Sequence, residues 1–560
     1  MFLTTINFAK NLQMAYKNLY ASLLCLVFFT SFSAYPQQNE LTKPKLVVGI
    51  VVDQMRYDYL TRFYERFGDD GFRRLIEKGF NAENNHFNYI PTYTAPGHAS
   101  VYSGTTPAHH GIIGNSWYDK ASKTSVYCVS DSLYQTVGSS TKAGQMSPHR
   151  LLSSMLTDQL RLHTQQRSKV FGVAIKDRGS ILPAGFSGTA YWFDGGEQGK
   201  WISSTYYMDK LPDWVEKYNN SGKVKAYLKP WTTLYDVKTY VESGSDDNNY
   251  EGKFKGESKA VFPHDLPALT KENETYELIK SSAFGNDITK DFALAVLKNE
   301  QMGKDDITDF LAISFSSTDY LGHMYGVNSV EVQDAYLRLD QNIAEILSTL
   351  DREVGAANYT VFLTADHGAV HVPAYLQDQK IAAGYFNNDE FVGEVKYYAK
   401  EAFGSDKVIE KINNQQIFLN EKSIDSLDLD VDDVEEALSQ YIVKLPGVLE
   451  AYTATSMRNT TFEKGTPALM QRGYNQKRSG HVLYALHPGF ISYPKVGSTH
   501  GSGYTYDTHV PLLFYGWGIK PGKTGLRTNI TDIAPTISTL LGISPPNYAS
   551  GNVLDFVLKK

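Results

Sequence analysis

Cysteine is nearly absent: Cys25 and Cys128 are the two in 560 residues. Cys25 sits in an N-terminal apolar stretch that reads as removable, which leaves one cysteine and excludes an internal disulfide. The chain must be held by its core, with 42% hydrophobic residues to build one. An excess of basic residues is also missing. The net charge is −7, and without the first 34 residues, which carry Lys10 and Lys17 and no acid, 52 basic residues face 61 acidic ones. That excludes a general electrostatic field for nucleic acid or an anionic membrane. An anionic substrate would have to be drawn by local metals and cations. Beyond the N-terminus no segment reads as a transmembrane helix, and there is no internal repeat and no long low-complexity tract.

What is present begins with an export pattern. Lys10 and Lys17 precede an apolar stretch over residues 19–32, followed by the small residues Ser33 and Ala34 and then Tyr35-Pro36-Gln37. Residues 1–34 are read as a signal peptide, which sends the mature chain to the periplasm or the exterior. With Phe32 three positions before a cut at Ala34, the cleavage position is left open. Tyrosine, with 38 residues, is read as aromatic packing of loops.

The recurring element of residues 35–560 is an apolar run that stops at a polar residue. Residues 45–52 stop at Asp53, 170–175 at Lys176, and 360–365 at Asp366-His367; residues 310–315 lead to Asp319, and 510–515 follow His500. Runs apolar on both faces belong in a parallel sheet. Helical patterns lie between them, over residues 151–166 and in a stripe of Val332, Tyr336, Leu339, Ile343, Leu347 and Leu350. The expected fold class is α/β, a mostly parallel central sheet flanked by helices. Ligands in such folds bind beyond the carboxyl ends of the strands, where these polar residues fall. Two stretches break the pattern, about 181–270 and about 371–490, the second with a helix over 434–443 and strands near 416–419 and 482–491. Both are read as insertions forming a cap.

Asp319 and His323, four apart, share one face of a helical turn. Asp366-His367 and Asp53 end buried strands, and His500 lies in a Gly-rich loop. Nitrogen mixed with carboxylate oxygen suits zinc or a similar transition metal. Three Asp and three His are too many for one four-coordinate ion with an open position, and they fit two zinc ions sharing a substrate.

Thr94 precedes Pro96 by two, which places it at a helix N-terminus, where amides and dipole favour an anion. Alone, this pattern is better read as an ordinary N-cap; beside zinc the hydroxyl becomes a nucleophile. Lys176 and Arg178, two apart in extended chain, point the same way and suit a phosphoryl dianion; a solvated charged turn is the bland alternative. Asn115 offers an amide donor.

These segments resemble the alkaline phosphatase superfamily, in the branch shared with nucleotide pyrophosphatase/phosphodiesterases. They look most like the exported, phosphate-irrepressible alkaline phosphatases with a Thr nucleophile. The marks are residues 51–56, Thr94-Ala95-Pro96-Gly97-His98, residues 175–179, Asp319-Tyr320-Leu321-Gly322-His323, Ala365-Asp366-His367-Gly368, Thr499-His500-Gly501 and residues 532–536, and the resemblance spans about 44–555. It implies that Asp53, Thr94, Asp366 and His367 hold one zinc, that Asp319, His323 and His500 hold the other, and that Asn115, Lys176 and Arg178 contact phosphoryl oxygens. The implied enzyme is an alkaline phosphatase that hydrolyses small-molecule phosphate monoesters through a phosphothreonine, as a monomer without nucleic-acid or membrane partners. The alternative is a phosphodiesterase or nucleotide pyrophosphatase on the same metals. A sulfatase would need Cys or Ser at position 94 and Arg at 98, where Thr and His stand, and a pseudoenzyme should have lost ligands that are all present.

Overall fold

No residue of Leu46–Val52 has a polar side chain, and all seven are buried. A strand apolar on both faces must be covered on both, and this one lies inside a ten-stranded sheet. The computed structural model describes residues 13–14 and 43–559, of which residues from Pro44 onward form one compact unit. The signal read at residues 1–34 falls, but for 13–14, outside the described residues. In chain order the strands of the sheet are β1 (Leu46–Val52), β2 (Phe80–Ala82), β3 (Thr136–Val137), β4 (Val170–Ala174), β5 (Thr189–Asp194), β6 (Lys200–Ser204), β7 (Asp309–Phe315), β8 (Tyr359–Thr364), β9 (Leu512–Gly516) and β10 (Gly522–Thr524). Their spatial order is β10-β2-β9-β8-β1-β7-β4-β5-β6-β3.

Strands β8, β1, β7, β4 and β5 run parallel, the α/β architecture the apolar runs predict. The run at 510–515 departs from that expectation: β9 lies antiparallel to β8. The chain enters β9 from the His500 loop, which lies at the carboxyl end of the parallel strands, so it must run back. The stretch 181–270 departs as well, because its first part supplies β5 and β6 to the main sheet. Their buried aromatics, Trp192, Phe193 and Trp201, are separated by a Gly-rich turn that masks the strand periodicity.

Four helices carry or support the site: α1 (Thr94–Ser103), α2 (Asp177–Ala184), α3 (Ser317–Tyr325) and α4 (Val330–Leu350). The predicted stripe of α4 is buried throughout, and Ser329 Oγ caps its start by accepting from Val332 N at 3.1 Å. The helix expected over 151–166 is shorter, Leu156–His163, because Asn547 Oδ1 accepts from Ser153 Oγ and Ser154 N and holds them outside the helix. Residues 409–486 form a second, four-stranded sheet from Ile409–Asn413, Gln416–Leu419, Val482–Leu486 and Val448–Thr453. With the helix Val431–Ile442 it encloses its own apolar cluster, including Ile417, Leu438 and Val482.

Candidate active site

Every abrupt polar stop in the sequence lands at the same end of the sheet. Asp53 follows β1, Lys176 follows β4, α3 with Asp319 and His323 follows β7, and Asp366-His367 follow β8. Thr94 is the first residue of α1 and is buried. Gln54, directly after Asp53, has φ 62°, a left-handed conformation that costs a non-glycine residue about 1–3 kcal/mol and recurs at functional sites. Its constrained position is used twice: Gln54 N donates to Asp366 Oδ1 at 3.1 Å and Nε2 donates to Asp319 Oδ1 at 2.8 Å.

The three histidines share one arrangement. Nδ1 of His323 lies 2.8 Å from Ser498 O, that of His367 2.9 Å from Gly368 O, and that of His500 2.7 Å from Thr92 O. A carbonyl can only accept, so each Nδ1 carries a proton, and in the neutral ring Nε2 is the atom that presents a lone pair, the arrangement of metal-ligating histidines; burial opposes charge on His323, but Asp319 outweighs it and raises that ring. All three Nε2 atoms face carboxylates: His323 Nε2 is 3.2 Å from Asp319 Oδ1, His367 Nε2 3.4 Å from Asp53 Oδ1, and His500 Nε2 3.6 Å from Asp319 Oδ1. Asp53 Oδ1, Asp366 Oδ2 and His367 Nε2 are buried without a hydrogen-bond partner. Acceptors left facing acceptors in a dry site are costly unless a cation lies between them, so the donor set fits a metal.

Ligand atoms of Asp53, Asp366 and His367, and again of Asp319, His367 and His500, lie within 4.8 Å of one another. His367 belongs to both groups, so distance alone does not divide the ligands as the resemblance does. Burial, with Asp319 nearby, pushes Asp53 up to about 6 against the pull of Lys176. Burial and the Asp53 charge hold Asp366 well above the usual carboxylate range. Burial opposes charge on Asp319 too, but His323 and Lys176 outweigh it and hold that carboxyl well below. Burial also pushes His500 down to about 3 and His367 well below its ordinary value, so both rings are neutral and able to ligate.

The cations differ from their expected geometry. An extended chain would set Lys176 and Arg178 side by side, but Asp177 begins α2, so Arg178 lies in its first turn. Lys176 Nζ sits between Asp53 Oδ2 (2.7 Å) and Asp319 Oδ2 (2.5 Å), 3.5 Å from Thr94 Oγ1. Arg178 turns to Tyr127, donating from Nη1 to its hydroxyl at 3.0 Å, while its buried Nε has no partner. Asn115 Oδ1 accepts from Ala95 N at 2.8 Å. That bond uses one of the helix-terminal amides expected to be free, and leaves the Asn115 NH2 for a ligand.

Two residues that the sequence offers merely as marks of the resemblance have structural partners here. One is Gln54, described above. The other is His98, one turn after Thr94, whose Nδ1 lies 2.9 Å from Thr94 O and 3.4 Å from Asp366 Oδ2 and whose Nε2 is 2.9 Å from Ser314 Oγ. Both serve by hydrogen bonds that the fold assembles, and the one available signal was their place inside the motifs.

Comparison with known proteins agrees with this geometry. Residues 47–510 match the family model described as type I phosphodiesterase / nucleotide pyrophosphatase. A protein of Myroides odoratus named calcium-transporting ATPase is 46% identical, over 96% of this chain and 98% of its own. The alkaline phosphatase PafA of Elizabethkingia meningoseptica is 43% identical, over 96% and 98%. A crystal structure of wild-type alkaline phosphatase PafA superposes with a TM-score of 0.89 at 42% identity, covering 93% of this chain and all of that one. The chain therefore belongs to the type I phosphodiesterase / nucleotide pyrophosphatase family.

Proposed function

We propose that this chain is a zinc-dependent alkaline phosphatase that hydrolyses phosphate monoesters through a phosphothreonine on Thr94. The observation that carries this reading is the convergence of Thr94, Lys176 and six Asp and His side chains at one end of the parallel strands, with buried acceptors facing one another. The names of relatives support the same activity.

Asp53, Asp366, His367 and Thr94 would hold one zinc, and Asp319, His323 and His500 the other. Bound zinc would supply Lewis acidity, lowering the pKa of a hydroxyl and neutralising charge that develops on oxygen. Thr94 gives up its hydroxyl proton to solvent, and Oγ1 bonds to phosphorus as the bond to the ester oxygen breaks. That oxygen takes a proton and leaves as the alcohol. Water then bonds to phosphorus, the bond to Thr94 breaks, and Thr94 regains its proton as phosphate departs. The Lys176 ammonium, 3.5 Å from Thr94 Oγ1, and the unpaired Arg178 Nε and Asn115 NH2 stabilise the equatorial oxygens.

The family model's own description favours diesters instead. Lys176 and Arg178 favour monoesters, because a dianion gains more from two buried cations than a monoanion does. The test is kcat/KM for an aryl phosphate against its methyl diester on zinc-loaded protein at mildly alkaline pH. A ratio far above one is expected; a ratio below one moves the chain to diesters with the same nucleophile. Export through residues 1–34 completes the proposal, with residues 35–560 as the catalytic part working in the periplasm or outside the cell as a monomer. The second sheet would cap the site. No helix among the described residues is long and apolar enough to cross a membrane.

A further inference from the structure

A cavity of about 360 Å3 opens beside the site, within the size range of small-molecule pockets. It meets the proposed catalytic residues at one edge: His500 lines it, as does Tyr93, the residue before Thr94, whereas Asn115, Lys176 and Arg178 do not. Its floor comes from the loop that carries His500 and Tyr504, and its far wall, with Leu469, Tyr484 and Phe490, comes from the stretch expected to form a cap. The lining includes no lysine or arginine. It does include one carboxylate, Asp507, whose Oδ2 accepts from Gly501 N, Ser502 N and Ser502 Oγ.

In an in-line displacement the group that leaves lies opposite the nucleophile, away from the residues that hold the equatorial oxygens. The cavity extends from the His500 edge and avoids the phosphoryl-contacting residues. Aromatic walls favour a flat ring by stacking. A second phosphate placed there would lose water beside Asp507 with no lysine or arginine in the lining to replace it. Resting on the monoesterase reading above, we infer that this cavity is the leaving-group subsite and selects monoesters of neutral, ring-bearing alcohols such as nucleosides over substrates whose leaving group is itself phosphorylated.

The test uses the full zinc-loaded chain and three substrates: adenosine 5′-monophosphate, glycerol 1-phosphate and ATP. The first two are both primary alkyl monoesters, so their kcat/KM ratio reads the subsite and not the chemistry. The nucleoside ester is expected to be favoured by about tenfold or more, and ATP to be poorer than the monophosphate despite its better leaving group. Leu469→Trp or Thr466→Trp, each filling the cavity, should collapse the nucleoside preference and leave glycerol 1-phosphate unchanged. Leu469→Lys should raise ATP relative to the monophosphate. Constant glycerol phosphate turnover and thermal midpoint show that each variant is folded. Equal efficiency toward the two alkyl esters in the wild type, or a preference untouched by both tryptophans, overturns the subsite alone. Failure to hydrolyse either ester overturns the monoesterase reading with it.

Discussion

His323, His367 and His500 each spend one ring nitrogen on a backbone carbonyl, and that bond decides what the other nitrogen can do. A histidine in a sequence is ambiguous between donor and ligand; three that each donate from Nδ1 to a backbone carbonyl share one neutral tautomer, with Nε2 the atom able to ligate. Thr94 is the converse case. The sequence pattern fits an N-cap, but Tyr93 takes that position and Thr94 is the first residue of α1; its proposed role as nucleophile comes from its neighbours. Thr94→Ala should lower kcat for an aryl phosphate by at least about a thousandfold and abolish phosphate trapping on the protein, while zinc content stays near the wild-type value. Wild-type turnover in this variant would remove Thr94 from the mechanism.

Among elements, the strands were legible and their terminations more so, because a chain buried on both faces has little structural reason to end on Asp53 or Asp366-His367. The approach of α1 to β8 was not legible. A Cβ on Gly97 would lie 2.3 Å from Asp366 O, so glycine is what lets the first turn of α1 rest on the Asp366 backbone and bring Thr94 to the carboxyl end of the parallel strands. Gly97→Ala must push the two apart at a cost of about 1–3 kcal/mol. Activity should fall by far more than the thermal midpoint suggests; if rate and midpoint decline in proportion, the contact is structural and no more. The start of α2 at Asp177 was equally hidden, because an apolar strand gives no signal for how soon the chain coils after it. Lys176 and Arg178 consequently point to different partners.

At the level of the whole molecule, the site gathers buried carboxylates from two strand ends and one helix, and metal would have to offset their repulsion. Chelation should therefore abolish hydrolysis and lower the thermal midpoint together. Added zinc should restore both, with about two equivalents bound per chain by elemental analysis; activity persisting in metal-free protein would refute the two-zinc proposal. A second linkage lies behind α3. His264 Nδ1 is 2.8 Å from Glu257 Oε1 and its Nε2 3.3 Å from Glu331 Oε1, at the start of α4. Burial opposes charge on this ring, but the two carboxylates outweigh it and raise it to about 9. For Glu331 burial dominates and its carboxyl is raised instead, so the net gain is smaller than the histidine's shift alone. A raised histidine stabilises fully below its unfolded value near 6.5 and loses that stabilisation as pH climbs through about 9. The midpoint should drop between pH 7 and 9.5, and His264→Gln should flatten that slope; an unchanged slope would assign it to other groups. The sequence by itself determined the sheet, its mostly parallel sense and the residues at its carboxyl edge, because burial on both faces and abrupt polar stops are local properties of the chain. The reversal of β9, the recruitment of β5 and β6, the Lys176 ion pairs, the carbonyl partners of His323 and His500 and the cavity beside His500 were decided by tertiary structure, because each depends on a partner distant in sequence that no local pattern specifies.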